Sequence, residues 1–168
     1  LLAMLRPDLQ VSDITQITPE LLRQHGLDAV MVDLDDTMVP SGADSMEERF
    51  TDWFRSLQDH GVNLLILSNG QRDRVAHWAH KLGIPGLSLV GKPFRHAFRR
   101  GLKLLGTEPA KTAMIGDQLF TDVLGANLTG VFSVLVSPLS PGKLPHTRLL
   151  RRVENRILRR GHGEPLNR

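Results

Sequence analysis

Short, continuous apolar runs alternate along the chain with longer segments in which apolar residues recur every three or four positions. Uninterrupted runs of this length, bounded by turn residues, are typical of strands that are buried on both faces. Because each run is followed by a helical segment, we expect all of the strands to be parallel. The predicted strands cover residues 29–34, 63–68, 88–90, 112–115 and 132–136.

Four segments between and around these strands have helical periodicity. The first has Ser45 at its start and Glu48 three residues later, the spacing of a capping box, and Gly61 follows it. Gly83 and Gly106 follow the next two, as glycine commonly does after a helix. Strands and helices that alternate in this way form βαβ units, so we predict an α/β fold with a doubly wound parallel sheet. The predicted helices cover residues 46–60, 72–82, 94–105 and about 120–128.

Composition narrows the class of protein. With 168 residues and 40% hydrophobic content, the chain is expected to form one domain over residues 1–168. The absence of cysteine excludes disulfides, thiolate nucleophiles and thiolate metal ligands. Every apolar run is far shorter than the ~18 residues that span a bilayer, and residues 1–5 are too few for a signal peptide. We therefore expect a cytoplasmic protein.

Polar side chains follow the predicted strands at the points where they end. Asp33 and Asp35 follow the first strand, Ser68 and Asn69 follow the second, and Lys92 follows the third. Ligands bind in such sheets beyond the carboxyl ends of the strands. The fourth strand is followed by Asp117 and Asp122.

Clustered carboxylates at strand ends repel one another unless a cation or a reacting group uses them. Acids from two strands therefore predict a Mg²⁺ site. A hydroxyl and an ammonium group for phosphate oxygens, together with a carboxylate nucleophile, complete the set of groups that phosphoryl transfer needs.

In this order, the motifs resemble those of the haloacid dehalogenase superfamily of phosphatases. The resemblance rests on Asp33-x-Asp35-x-Thr37, Ser68, Lys92 and Gly116-Asp117-x-x-x-x-Asp122. It covers about residues 29–136 and is closer still to the YqeG-like subfamily, which is related to phosphatidylglycerophosphate phosphatases. Two positions depart from that subfamily: Asp36 replaces its usual Asn, and Asn127 follows Ala126 where a second Gly is common. The resemblance implies a Rossmann-like fold of the capless subclass III.

The resemblance also implies roles for the site residues. Asp33 would be the nucleophile and Asp35 the general acid and base, while Ser68, Asn69 and Lys92 would bind phosphate. Gly116 and Thr37 would support the site, with Thr37 orienting Asp35 or capping the turn. Mg²⁺ would be held by Asp33, the backbone carbonyl of Asp35, Asp117 and Asp122.

Taken singly, the same residues have ordinary structural interpretations. Asp33 and Asp35 could be turn or helix-capping acids, Ser68 and Asn69 turn residues, and Lys92 a solvated lysine. What indicates a phosphatase is the occurrence of all of these motifs together and in this order. Asp122 leaves three roles open: an acid that favours a helix N-terminus, a group that orients a ligand, or a direct metal ligand.

Neither insertion point of this fold has room for a cap domain. Only a short segment separates Asp36 from Ser45, and one helix and one strand separate Ser68 from Lys92. The resemblance then implies an open site that acts on large substrates such as lipid head groups, proteins or nucleic acids, or one that an oligomeric partner closes. Basic residues near Lys92 would favour an anionic substrate or form a solvated helix face; they are Arg95, Arg99 and Arg100.

Positive charge is concentrated in residues 147–160, although the whole chain has a formal net charge of only +3. The spacing predicts a basic amphipathic helix whose arginines could contact the inner face of an anionic membrane. Alternatively, its apolar stripe packs on the sheet and leaves the arginines in solvent. The apolar positions are Leu149, Leu150, Val153, Ile157 and Leu158, and the arginines are Arg148, Arg151, Arg152, Arg156, Arg159 and Arg160.

These observations predict a Mg²⁺-dependent phosphomonoesterase with an aspartyl-phosphate intermediate, and the subfamily resemblance favours phosphatidylglycerophosphate as its substrate. Alternative substrates are a phosphoprotein, a nucleotide or a polynucleotide end. A non-enzymatic alternative is a nucleic-acid-associated factor that uses the arginine helix. With 5% aromatic residues and no tyrosine, the chain offers few stacking groups for RNA. The sequence is compatible with a monomer or an oligomer.

Overall fold

A computed structural model describes residues 2–140 and the separate positions 152, 155, 156 and 159. Within 2–140, six parallel strands form one sheet, which confirms the predicted doubly wound fold. The strands are β1 (Leu9–Val11), β2 (Ala29–Val32), β3 (Asn63–Leu67), β4 (Gly86–Leu87), β5 (Thr112–Gly116) and β6 (Phe132–Val136). Their order across the sheet is β1-β6-β5-β2-β3-β4.

Helices cover both faces of the sheet. A π-helical turn at Leu119–Val123 leads directly into the last of them. The helices are α1 (Pro19–Gln24), α2 (Glu48–Asp59), α3 (Arg72–Leu82), α4 (Arg95–Leu105) and α5 (Leu124–Thr129). Short 3-10 turns lie at Leu2–Leu5, Ile14–Gln16 and Pro109–Lys111.

Alternation along the strands divides the core into two layers. Successive strand residues point to opposite faces, so Val30 and Val32 lie under α2 and α3, whereas Met31 lies under α4 and α5. Trp53 and Trp78 fill the first layer, and Phe98 fills the second. Helices on both faces explain why β2 is apolar at every position rather than at every other one.

Two local predictions are wrong. The third strand is Gly86–Leu87, not 88–90: Leu89 has a φ of 50°, and its N–H donates to the Gly70 carbonyl at 3.1 Å, outside the ladder. The capping box does not form, because α2 begins at Glu48 after Glu47, which makes no side-chain capping bond.

The structure contains one strand and one α-helix that the predictions missed. Strand β1 has only three residues, none of them fully buried, and pairs in parallel with β6 at the sheet edge. Helix α1 had a recognisable start: the Thr18 hydroxyl accepts a bond from the Leu21 N–H at 3.1 Å, and Pro19 is the first helical residue.

Most of the predicted basic helix at 147–160 lies outside the described residues. Of its arginines, Arg152, Arg156 and Arg159 are described, and all three are helical and exposed. Whether its apolar stripe packs on the sheet therefore stays a prediction. The single domain over residues 1–168 also stays a prediction. Among the described residues, no helix is both long and apolar enough to cross a lipid bilayer.

Candidate active site

Three acids meet at the carboxyl edge of the sheet. Asp33 follows β2, Asp117 follows β5, and Asp122 lies one turn farther along in the π-helical turn. Because β2 and β5 are adjacent and in register, their ends bring these residues together. One oxygen from each carboxylate lies within 4.8 Å of the others, and all three residues are buried.

Lys92 joins two of these acids. Its buried ammonium group donates to Asp33 Oδ1 at 3.0 Å and to Asp122 Oδ1 at 2.7 Å. Burial alone would lower the pKa of Lys92, but the Asp122 and Asp33 carboxylates outweigh it and raise that pKa above its ordinary value. Lys92 is therefore a fixed positive charge at neutral pH.

The acids outnumber the ammonium group. Three carboxylates and one ammonium give a formal charge of about −2 in a buried site, which is costly without a further cation. Burial, opposed by Lys92 and reinforced by Asp33, raises the pKa of Asp122 to about 6. This excess of negative charge and the all-oxygen donor set fit a hard divalent cation such as Mg²⁺.

Gly116 gives Asp122 the space it occupies. A Cβ atom at Gly116 would lie 2.1 Å from Asp122 Oδ2, so any other residue at this position would displace the carboxylate. Asp122 Oδ2 also accepts a bond from the Gln118 N–H at 3.2 Å. The supporting role predicted for Gly116 thus has a steric basis.

Asp35 has a different environment from Asp33. Its side chain is 32% exposed and pairs with Arg74, whose Nε donates to Asp35 Oδ1 at 2.8 Å. Burial raises the pKa of Asp35 above its ordinary value, although Arg74 opposes the shift. A carboxyl group with a raised pKa at the edge of the site is suited to proton transfer.

The predictions missed Arg74. Arg74 lies in the first turn of α3, a helix that begins just after the loop at the end of β3. Its position shortly after a predicted strand was the sequence signal for a place near the site. Its Nη1 also donates to the Ala43 carbonyl at 2.9 Å. Arg74 therefore ties Asp35 to the segment that follows β2.

Thr37 supports a different acid from the one we expected. Its hydroxyl donates to Asp117 Oδ1 at 3.4 Å instead of to Asp35. The turn around it is tight, with Asp36 in the left-handed region at a φ of 62°. Left-handed backbone is tolerated best by Gly, Asn and Asp, which explains why Asp can stand here in place of Asn.

Asn69 holds the backbone of Lys92 at both ends. Its Oδ1 accepts from the Lys92 N–H at 2.8 Å, and its Nδ2 donates to the Lys92 carbonyl at 3.1 Å. Ser68 is buried, and its Oγ accepts from the Gly70 N–H at 2.9 Å. In this arrangement Asn69 positions the lysine; its contact with phosphate stays a prediction.

Comparison with known proteins agrees with this geometry. A family model described as haloacid dehalogenase-like hydrolase matches residues 12–130. The chain belongs to this family, and it is an enzyme of the phosphatase class, as its motifs predict. The segments at 33–47 and 68–94 contain no cap domain.

Individual relatives sharpen the comparison. The chain is 37% identical over 160 residues to the probable phosphatase YqeG of Bacillus subtilis, covering 93% of both chains. It is 25% identical over 170 residues to phosphatidylglycerophosphate phosphatase 1 of Arabidopsis thaliana, covering 92% of this chain and 47% of that protein. The fold is shared with the cobalt-bound deoxy-D-mannose-octulosonate 8-phosphate phosphatase of Haemophilus influenzae, with a TM-score of 0.57, 20% identity, and 82% and 90% coverage.

Proposed function

We propose that the chain is a Mg²⁺-dependent phosphomonoesterase that works through an aspartyl-phosphate intermediate. The observation that supports this most is the contrast between two carboxylates two residues apart. Asp33 is buried beside Lys92, Asp117 and Asp122, whereas Asp35 is partly exposed and held by Arg74. Two carboxylates in unlike environments are suited to two different roles.

In the proposed reaction, an oxygen of Asp33 attacks phosphorus, and the bond from phosphorus to the leaving oxygen breaks. Asp35 gives its proton to that oxygen. In the second half, Asp35 takes a proton from water, which attacks phosphorus and releases inorganic phosphate and free Asp33. Lys92 offsets the negative charge of the phosphoryl oxygens, and the Ser68 hydroxyl helps to orient them, in both halves.

Mg²⁺ would be held by the carboxylates of Asp33, Asp117 and Asp122 and by the backbone carbonyl of Asp35. When bound, it supplies positive charge that reduces the repulsion between Asp33 and an anionic phosphate. The buried oxygen cluster supports this assignment.

For the substrate, we propose phosphatidylglycerophosphate. The similarity to the Arabidopsis phosphatase supports this choice, as do the absence of a cap within residues 2–140 and the exposed basic residues that follow Lys92. We also propose that the arginines of segment 147–160 contact an anionic membrane. Arg152, Arg156 and Arg159 are exposed, which this contact requires.

A substrate screen tests the proposal. Purified protein with Mg²⁺ should release phosphate from phosphatidylglycerophosphate faster than from nucleotide, polynucleotide or peptide phosphates, and a chelator should stop the release. Protein carrying Asp33→Asn, prepared in parallel, controls for contaminating phosphatases. Release from another substrate class at a higher rate would replace the proposed substrate, and release unaffected by chelation would contradict the metal requirement.

A further inference from the structure

One stretch of the chain contains basic residues and no acidic ones. Residues 74–107 contain seven Lys or Arg residues and no Asp or Glu, although the whole chain has 21 basic and 18 acidic residues. Arg74 and Lys92 are engaged with acids of the active site. The remaining members on α4 are exposed: Arg95, Arg99, Arg100 and Lys103.

Two large apolar side chains lie exposed in the middle of this stretch. Leu89 is 62% exposed and Phe94 is 66% exposed, and they flank Lys92 on the loop between β4 and α4. Leu89 also has a left-handed backbone, which is unfavourable for a leucine. A single exposed apolar residue is ordinary, but two on the loop that carries Lys92 are the kind of apolar exposure found at contact surfaces. We call Leu89 and Phe94 the rim pair.

Backbone hydrogen bonds connect the rim pair to residues next to the candidate active site. The Leu89 N–H donates to the Gly70 carbonyl at 3.1 Å, and a Cβ atom on Gly70 would lie 3.4 Å from Asp35 Oδ2. The Phe94 N–H donates to the Gly91 carbonyl at 3.0 Å, one residue before Lys92. The Leu89 backbone is therefore bonded to the turn that faces Asp35, and Phe94 lies two residues after Lys92, whose ammonium group contacts Asp33.

We propose that the rim pair inserts into the interfacial layer of an anionic phospholipid bilayer while Arg95, Arg99 and Arg100 contact its head groups. The choice of a lipid substrate rests on the proposed function. Apolar tips beside exposed cations match the two layers of such a surface, which are acyl chains below anionic head groups. A nucleic acid would complement the arginines but would leave Leu89 in water. This docking uses residues separate from segment 147–160.

Vesicle cosedimentation tests the rim pair with a matched control. The test variant combines Leu89→Asn, since Asn accepts left-handed backbone, with Phe94→Gln. The control is Leu104→Gln, which removes an apolar side chain that is 53% exposed near the other end of α4, about 15 Å from Phe94 along the helix axis. All three proteins also carry Asp33→Asn, so binding is measured without turnover.

We expect the test variant to bind vesicles of phosphatidylglycerol and phosphatidylcholine about tenfold more weakly than the parent, equivalent to about 1.4 kcal/mol. The Leu104→Gln control should bind like the parent. Equal binding by all three proteins would overturn the proposal and leave a polyanion such as nucleic acid as the partner to test for the cationic surface. Equal weakening in test and control would also overturn it, because the loss would then be unspecific.

A fluorescent reporter tests insertion directly. Trp53 and Trp78 are buried, so Phe94→Trp adds the one exposed tryptophan of the described residues. Its emission should shift to the blue on addition of the anionic vesicles and be quenched by lipids brominated on their acyl chains. An emission spectrum unchanged by vesicles would overturn insertion.

Activity separates this inference from the proposed function. With Asp33 intact, the test variant should lose about tenfold in rate on phosphatidylglycerophosphate in vesicles and keep its rate on a small soluble aryl phosphate. Equal losses on both substrates would overturn the docking role. Wild-type protein that binds vesicles through the rim pair but hydrolyses neither substrate would contradict the proposed function and leave the docking surface intact.

Discussion

Asp33 and Asp35 are separated by one residue at the end of the same strand, yet the fold gives them two different environments within one site. Asp33 belongs to the buried centre, with Lys92, Asp117 and Asp122. Asp35 belongs to a half-exposed ion pair with Arg74 at the edge of the site. Burial and partners, more than residue type, therefore determine the chemistry of each carboxylate.

Replacement of Asp33 tests the buried centre and should have the largest effect. Asp33→Asn should lower kcat by at least about a thousandfold, since an amide cannot act as the nucleophile. The melting temperature should not fall, because the change removes one of several like charges. Steady-state kinetics and thermal unfolding measure both quantities. Turnover near the wild-type rate would contradict the role of Asp33.

Removal of the Lys92 ammonium group should unbalance the same centre. Lys92→Met removes the ammonium group that donates to the buried Asp33 and Asp122 carboxylates, so we expect the free energy of unfolding to fall by about 3 kcal/mol and activity to be lost. Mg²⁺ should raise the melting temperature more in this variant than in the wild type, because the acidic cluster that binds the ion carries a larger negative charge. Equal shifts would show that Mg²⁺ does not bind at these acids.

Replacement of Arg74 removes its pair with Asp35 and its bond to the Ala43 carbonyl but leaves the contacts of the buried centre in place. Arg74→Gln should lower kcat by about ten- to a hundredfold through misplacement of Asp35, with Arg74→Lys restoring part of the loss. Because the guanidinium favours the ionised carboxylate, its removal should raise the pKa of Asp35 further, and the limb of the pH–rate profile that reports Asp35 should move to higher pH. An unmoved profile would separate Arg74 from Asp35 in function.

Thr37→Val should have the smallest effect. The bond from Thr37 to Asp117 is long, at 3.4 Å, so its loss is worth about 1 kcal/mol at most. We expect the Mg²⁺ concentration for half-maximal activity to rise by a few-fold at unchanged kcat. A fall in kcat on poor leaving groups alone would instead indicate that Thr37 acts on Asp35.

The buried centre was predictable from the sequence because two of its acids, Asp33 and Asp117, come just after apolar runs and Asp122 follows Asp117 closely. A strand that is buried on both faces is visible as such a run, and parallel strands bring their ends to one edge. The pairing of Arg74 with Asp35 was not visible, since it joins residues 39 positions apart through the packing of α3. The same holds for Asn69 and Lys92, which are 23 positions apart.

The two missed or misplaced strands are both edge strands. Strand β1 is too short and too exposed to show a run, and β4 ends early because Leu89 turns out of the sheet. The sequence pattern does not distinguish an apolar residue that turns out of the sheet into solvent from an apolar residue that continues the strand. The local pattern therefore predicted a strand where the structure has the exposed Leu89.

The division of labour between Asp33 and Asp35 is tested most directly by locating the covalent intermediate. Protein carrying Asp35→Asn should accept phosphate from an activated aryl phosphate but hydrolyse the intermediate slowly, since it lacks the base that activates water. Mass spectrometry after rapid acid quench should then find one phosphoryl group on Asp33. A phosphoryl group on any other residue, or its persistence when Asp33→Asn is added, would contradict the account.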